Sequence, residues 1–188
     1  SSYLVYDKSL YNSERTFLKE DSAIRPRNLC GVAKLQTEID LSFLKELKGV
    51  DVVSARIFRV YGKGSRDIIS RWITGVLSGK SIQVFSKNNC FDYIYAEDVA
   101  DGILCMCAND LKNTVYNLGT GIHTSIEDVV SIIKNKFNNV KIYESDGEIF
   151  PEQSAADMRS LCQETGWAPK YSISDGIEEI IIYNEEKA

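Results

Sequence analysis

The chain has 188 residues, 44% of them hydrophobic and 26% charged, with a formal net charge of −5. That length supports one substantial core, and the composition is that of an ordinary globular protein. The negative balance argues against a nucleic-acid partner, which needs a basic face. The sequence also holds no run of about 18 apolar residues that would read as a membrane span. Five scattered cysteines (Cys30, Cys90, Cys105, Cys107, Cys162) and a single histidine leave little for a zinc site. The cysteines read as reduced thiols of a cytoplasmic protein.

Taken in chain order, Ser2–Tyr6 is short and β-prone and reads as a strand end. Residues 7–29 are polar and read as a long loop holding Arg25-Pro26-Arg27. Leu35, Ile39, Leu41, Leu44 and Leu47 recur at helical spacing, which predicts a helix starting near Lys34. Asp51–Phe58 is apolar and β-branched and reads as a buried strand. Residues 67–78 read as an amphipathic helix ended by Gly79, followed by strands at Ser81–Phe85 and Phe91–Tyr95.

Glu97 and Asp98 place their acids at the positive end of a helix that runs to about Cys107. Thr114–Leu118 reads as a strand, with a turn at Gly119-Thr120-Gly121. Thr124–Asp128 carries the cap and first turn of a helix to about Phe137. A strand at Val140–Tyr143 and helices near Ala156–Glu164 and Ser174–Asn184 complete the chain, with Gly166-Trp167-Ala168-Pro169 as a stop between the helices. Strands alternating with helices predict an α/β protein with parallel strands.

Several short patterns stand in a telling order. They are Ser2-x-x-Val5-Tyr6, then Asn28-Leu-Cys30-Gly-Val-Ala-Lys34, then Arg56-Ile-Phe-Arg59-Val-Tyr61-Gly62. Phe91-Asp92-Tyr-Ile-Tyr-Ala-Glu97-Asp98-Val-Ala100 follows, then Tyr116-Asn117-Leu-Gly119-Thr-Gly121 with Thr124-Ser125-Ile126. Asp157, Gly166-Trp167-x-Pro169 and Gly176-Ile177 close the series. Each is weak alone. In this order the chain resembles the extended short-chain dehydrogenase/reductase family, the NAD-dependent nucleotide-sugar epimerases and dehydratases.

The Gly-rich loop of that family does not occur in these residues, so the resemblance implies the C-terminal part of such an enzyme. The expected fold is a partial Rossmann-like parallel sheet plus a small C-terminal α/β substrate-binding domain. Residues 1–62 would belong to the dinucleotide-binding domain. Residues 63–188 would be mainly substrate-binding, with strands and helices returning to the Rossmann part.

The resemblance also implies roles. Ser2 would orient the sugar oxygen, Lys34 would bind the nicotinamide ribose and supply positive charge, and Phe58 would be a cofactor contact. The catalytic tyrosine position holds Cys30. Three readings stay open for it: a small residue at a site without redox activity, a working acid/base, or a bystander while another residue acts as base.

On the substrate side, Phe91 replaces an arginine that contacts the diphosphate, and Arg59 replaces a substrate-binding asparagine. Arg59, with Lys63, would then anchor the diphosphate; the alternative is a structural ion pair. Gln83 and Phe85 would line the nucleobase pocket. Asp92, Tyr95 and Asp98 would fix a strand–helix corner, His123 would lie at the surface, Trp167 would be a core plug beside Pro169, and Trp72 would stand on the face of the second helix.

The implied cofactor is NAD or NADP, with no tight binding expected of these residues alone. The implied substrate is a nucleotide-sugar, and the implied assembly of the full-length protein is a homodimer. Oxidation of a sugar hydroxyl to a keto-sugar intermediate is the expected activity, with these residues inactive alone. A non-catalytic nucleotide-sugar-binding or partner module stays open beside it.

Overall fold

The computed structural model describes residues 1–11, 14–145 and 151–187. Ser2–Tyr6 is not a regular strand end. It forms a 3-10 turn over Tyr3–Val5, flanked by single bridges from Ser2 to Ile57 and from Tyr6 to Ile24. The stretch expected to be a loop holds a second 3-10 turn at Lys8–Leu10 and a short strand, β1 (Thr16–Leu18). β1 pairs in parallel with β10 (Ser154–Ala156), whose last residue, Ala156, is the expected start of a helix and instead ends this strand.

Helix α1 spans Leu29–Lys48, starting earlier than the apolar spacing suggested. Its start is set by Asn28, whose side chain accepts a hydrogen bond from Gly31 N, and its end by Gly49 in the left-handed region (φ 64°). α1 buries only Gly31 and Glu38, and leaves Ile39, Phe43, Leu44 and Leu47 exposed among the described residues.

β2 (Ser54–Ile57) and β3 (Arg59–Tyr61) follow in tandem. Phe58 lies between them and donates its N–H to Leu118 O. α2 (Ile68–Leu77) is capped by Asp67, and β4 is Ile82–Phe85. The next strand breaks at Asp92 into β5 (Cys90–Phe91) and β6 (Tyr93–Tyr95), which leads into α3 (Ala96–Ala108).

β7 (Val115–Leu118), β8 (Thr124–Ser125) and α4 (Ile126–Lys136) come next. α4 opens with a capping box between Ser125 and Asp128. β9 is Ile142–Ser145, displaced toward the C-terminus from the sequence estimate. α5 (Arg159–Thr165) ends at Gly166, and α6 (Ile173–Glu185) opens with a second capping box, Ser172 with Asp175.

Four of the pairings are parallel: β1 with β10, β2 with β7, β3 with β6, and β4 with β9. β5 and β8 are antiparallel. The tandem β2–β3 strand therefore pairs first with β7 and then with β6. Two apolar clusters sit on either side of that change of partner. One gathers Ile69, Ile73, Val129, Ile133, Ile177 and Ile180. The other gathers Tyr3, Val5, Tyr6, Leu18, Phe58 and Leu118, with Trp167 packed in it. Among the described residues no helix is long and apolar enough to cross a membrane.

Candidate active site

The turn that carries Ser2 and the first turn of α1 are pressed together. Arg25 N donates to Val5 O and Arg27 N to Leu4 O, each at 3.1 Å, which folds the 25–27 segment onto the 3-10 turn. A methyl group on Gly31 would lie 2.3 Å from Leu4 O and 3.2 Å from Pro26 Cβ, so only glycine lets α1 approach this closely. Ser2 Oγ accepts from Leu4 N at 3.3 Å. Cys30 and Lys34 lie one helical turn apart on α1, and both are exposed.

One turn further on, Glu38 is buried and meets Arg56 of β2 fork to fork, with Arg56 Nε to Oε1 at 3.0 Å and Nη2 to Oε2 at 2.8 Å. Arg56 Nη1 also donates to Glu20 O (2.8 Å), and its guanidinium lies over the Tyr6 ring. Tyr6 OH donates to Asn117 Oδ1 at 2.6 Å. This network ties α1 to the β2–β7 pair through satisfied polar groups.

A second cluster lies beside the 3-10 turn. Arg59 has its guanidinium carbon 3.7 Å from the centroid of the Phe91 ring, and its Nη2 is 3.7 Å from Glu152 Oε2. Arg27 Nη1 donates to the same Glu152 oxygen at 2.9 Å and stacks on Tyr11. Tyr3 packs on Phe58 with ring centroids 5.1 Å apart, and Tyr11 OH donates to Tyr3 O. Burial pushes the Tyr3 phenol up to about 12, more than Arg59 beside it lowers it. Tyr3 therefore stays protonated at neutral pH.

The structure thus presses the turn that follows Ser2 against the first turn of α1, which carries Cys30, with Lys34 one turn further on, while Arg59 and Phe91 belong to the cluster beside the 3-10 turn. Phe58 is 4% exposed and its ring is used against Tyr3. Lys63 points elsewhere, to Glu179 at 2.5 Å and Glu97 at 3.4 Å. Gln83 and Phe85 stand on β4, where Gln83 Nε2 donates to Ser145 Oγ. Asp92 accepts from Thr120, Gly121 and Ala156, and Asp98 accepts from Lys170 N and Tyr171 N, so both brace corners. His123 is half-buried rather than at the surface, edge-on to Phe17 and 3.1 Å from Thr16 O. Trp167 is 7% exposed, with Nε1 donating to Asp101.

Sequence reasoning missed Arg27 and Glu152 as members of this constellation. An arginine directly before the Asn28 cap was a usable signal for Arg27; nothing around Glu152 announced it.

Residues 1–119 match the model of the family described as NAD dependent epimerase/dehydratase. The chain belongs to that family. A dTDP-4-dehydro-6-deoxyglucose reductase of Escherichia coli is 26% identical over 182 residues, which cover 92% of this chain and 57% of that protein. A putative UDP-glucose 4-epimerase of Methanocaldococcus jannaschii is 29% identical over 172 residues, covering 86% and 55%. This epimerase/dehydratase chain thus spans about half the length of the curated relatives it matches.

Among solved structures, RMD from Pseudomonas aeruginosa complexed with NADPH superposes with a TM-score of 0.89 at 21% identity, covering 100% of this chain and 66% of that one. UDP-glucose 4-epimerase of Thermotoga maritima with UDP-glucose gives 0.84 at 23%, covering 97% and 62%. These likenesses establish the Rossmann-type α/β fold. Within this epimerase/dehydratase chain, the hydroxyl of Ser2 and the ammonium of Lys34 flank a helix start held tight at Gly31.

Proposed function

We propose that this chain supplies the substrate side, and the nicotinamide end of the cofactor side, of an NAD(P)-dependent nucleotide-sugar epimerase or dehydratase. The observation that carries the reading is the Gly31–Leu4 contact, because it seats Cys30 and Lys34 against the turn that presents Ser2. Residues 1–62 serve the cofactor side and residues 63–188 mainly the substrate, with β7 and α5 returning to the former.

NAD(P), when bound, accepts hydride from a sugar carbon. Ser2 Oγ already accepts from Leu4 N, which leaves its own proton to donate to the sugar oxygen. Lys34 holds the ribose, and its charge favours an anionic oxygen in front of it. Cys30 reaches less far than the tyrosine it replaces, so proton transfer there runs through a bridging water. Arg59, steadied by Phe91, takes substrate phosphate, while Gln83 and Phe85 flank the nucleobase. The exposed apolar residues of α1 suit a homodimer contact, and the five free cysteines suit a reducing cytoplasm.

The test is an assay of the complete gene product with UDP- and dTDP-hexoses and either nicotinamide cofactor. It would follow absorbance at 340 nm and keto-sugar formation, with Cys30→Tyr and Cys30→Ala alongside. Turnover that rises in Cys30→Tyr supports the reading. No turnover by wild type or Cys30→Tyr with any of these sugars overturns it.

A further inference from the structure

Glu152 is an acid at the centre of a site that would receive an anion. Its side chain is 3% exposed, beneath Arg27 at 24% and Arg59 at 36%. Ser154 Oγ donates to its other oxygen at 3.1 Å. The backbone is pinned as well: Glu152 N donates to Asn89 Oδ1 (3.2 Å), and Cys90 N donates to Glu152 O (2.7 Å). The carboxylate is therefore anchored through both its side chain and its backbone.

Two guanidiniums this close would repel each other without a charge between them. One buried carboxylate against two of them leaves the cluster at net +1. Each arginine is also held from a second side by a ring, Arg27 by Tyr11 at 4.7 Å and Arg59 by Phe91 at 3.7 Å. Both side chains stay partly exposed above the carboxylate. Arg59 Nε is buried and has no hydrogen-bond partner among the described residues. Planar forks fixed this way match phosphoryl oxygens in pairs.

We propose that Glu152 is a positioning residue that turns Arg27 and Arg59 into one fork for a diphosphate. This deepens the nucleotide-sugar reading and rests on it. The two arginines come from distant segments, the loop before α1 and strand β3. A buried acid that reaches both sets their spacing.

Charge and positioning predict opposite signs for one variant. Glu152→Gln raises the local charge to +2, so an acid that served only as counter-charge would, once removed, tighten anion binding. A positioning acid predicts about tenfold weaker binding. The experiment is titration calorimetry of the folded chain with inorganic pyrophosphate at constant ionic strength. It compares wild type, Glu152→Gln, Arg27→Gln, Arg59→Lys and the exposed control Lys80→Ala. Arg59→Lys keeps the charge on a half-exposed side chain, so it reports the fork even if Glu152→Gln folds poorly.

Losses of about tenfold in Arg59→Lys, Arg27→Gln and Glu152→Gln, with Lys80→Ala unchanged, support the proposal. Wild type that does not bind, arginine variants that bind like wild type, or a Glu152→Gln variant that binds as tightly or more tightly, overturns it. Pyrophosphate carries neither sugar nor base. Pyrophosphate binding with no sugar turnover by the complete gene product would therefore remove the catalytic reading and leave the fork standing. Turnover with an indifferent Arg59→Lys would do the reverse.

Discussion

Arg59 lies face-on over Phe91, its guanidinium carbon 3.7 Å from the ring centroid. The ring is 6% exposed and itself packs edge-on to Tyr93. Phe91→Leu keeps most of the apolar volume and removes the stack. It is expected to cost about 1–2 kcal/mol, the sum of a cation–π contact and a modest repacking. Pyrophosphate affinity should drop several-fold with it. Phe91→Arg restores the residue type of the family pattern but buries a second guanidinium beside Arg59, and should cost about 3 kcal/mol or more. Urea unfolding of the two variants checks both, and a Phe91→Arg protein as stable as wild type would refute the account.

Two helical glycines should respond to alanine with opposite signs. Helix propensity favours alanine over glycine by about 1 kcal/mol. At Gly31 the new methyl would meet Leu4 O at 2.3 Å, a backbone atom that cannot rotate away. Overpacking of that kind costs about 1–3 kcal/mol and outweighs the propensity gain. At Gly75 in α2 the nearest neighbour outside the helix is Lys80 Cβ at 3.8 Å, which is ordinary contact. Gly31→Ala should lower Tm and Gly75→Ala should raise it slightly. Equal effects would show that α1 is not held against Leu4.

The contrast also shows what the sequence made legible. α4 was readable because its cap, Ser125 with Asp128, is local, and α2 because an amphipathic stretch ends at Gly79. The start of α1 was placed too late because apolar periodicity marks only its later turns, while its first turn is set by the Asn28 cap and the tight Gly31 approach. β1 was missed because a three-residue strand owes its existence to β10, near the far end of the chain. At the site, the Cys30–Lys34 spacing was visible since one helix carries both. Arg27 and Glu152 meet only through tertiary folding, and no local pattern links them. Arg59 does make the ion pair weighed for it, and its side chain still stays 36% exposed.

Glu38 and Arg56 make a buried bidentate pair, at 9% and 5% exposure. Burial alone would raise the Glu38 carboxyl, but the hydrogen bonds and positive charges around it, those of Arg56 foremost, together outweigh burial and hold the group below its usual value. A depressed folded value means that the pair's stabilisation is complete above the unfolded value, about 4.3. It is lost as pH falls through the lower folded value. Glu38→Gln strands a buried guanidinium and should cost about 3–5 kcal/mol at pH 7. The gap between wild type and Glu38→Gln in urea midpoints should narrow between pH 5 and strongly acidic conditions. A gap constant with pH would exclude the linkage.

Asp92 joins three segments through one carboxylate. Oδ1 accepts from Thr120 N at 2.7 Å and Thr120 Oγ1 at 2.6 Å, and Oδ2 accepts from Gly121 N at 2.8 Å and Ala156 N at 2.9 Å. The side chain is 1% exposed, so none of these donors has water as a substitute. An asparagine offers one oxygen only, and its amide would face two backbone N–H groups with another donor. Asp92→Asn should therefore cost about 3 kcal/mol, far more than its near-identical volume suggests. Because Arg59 N donates to Asp92 O, the loosened corner should also weaken pyrophosphate binding. Asp92→Asn should lose hydrogen-exchange protection first at Thr120, Gly121 and Ala156. Loss spread evenly over the chain would mean that Asp92 contributes only to global stability and does not brace this corner.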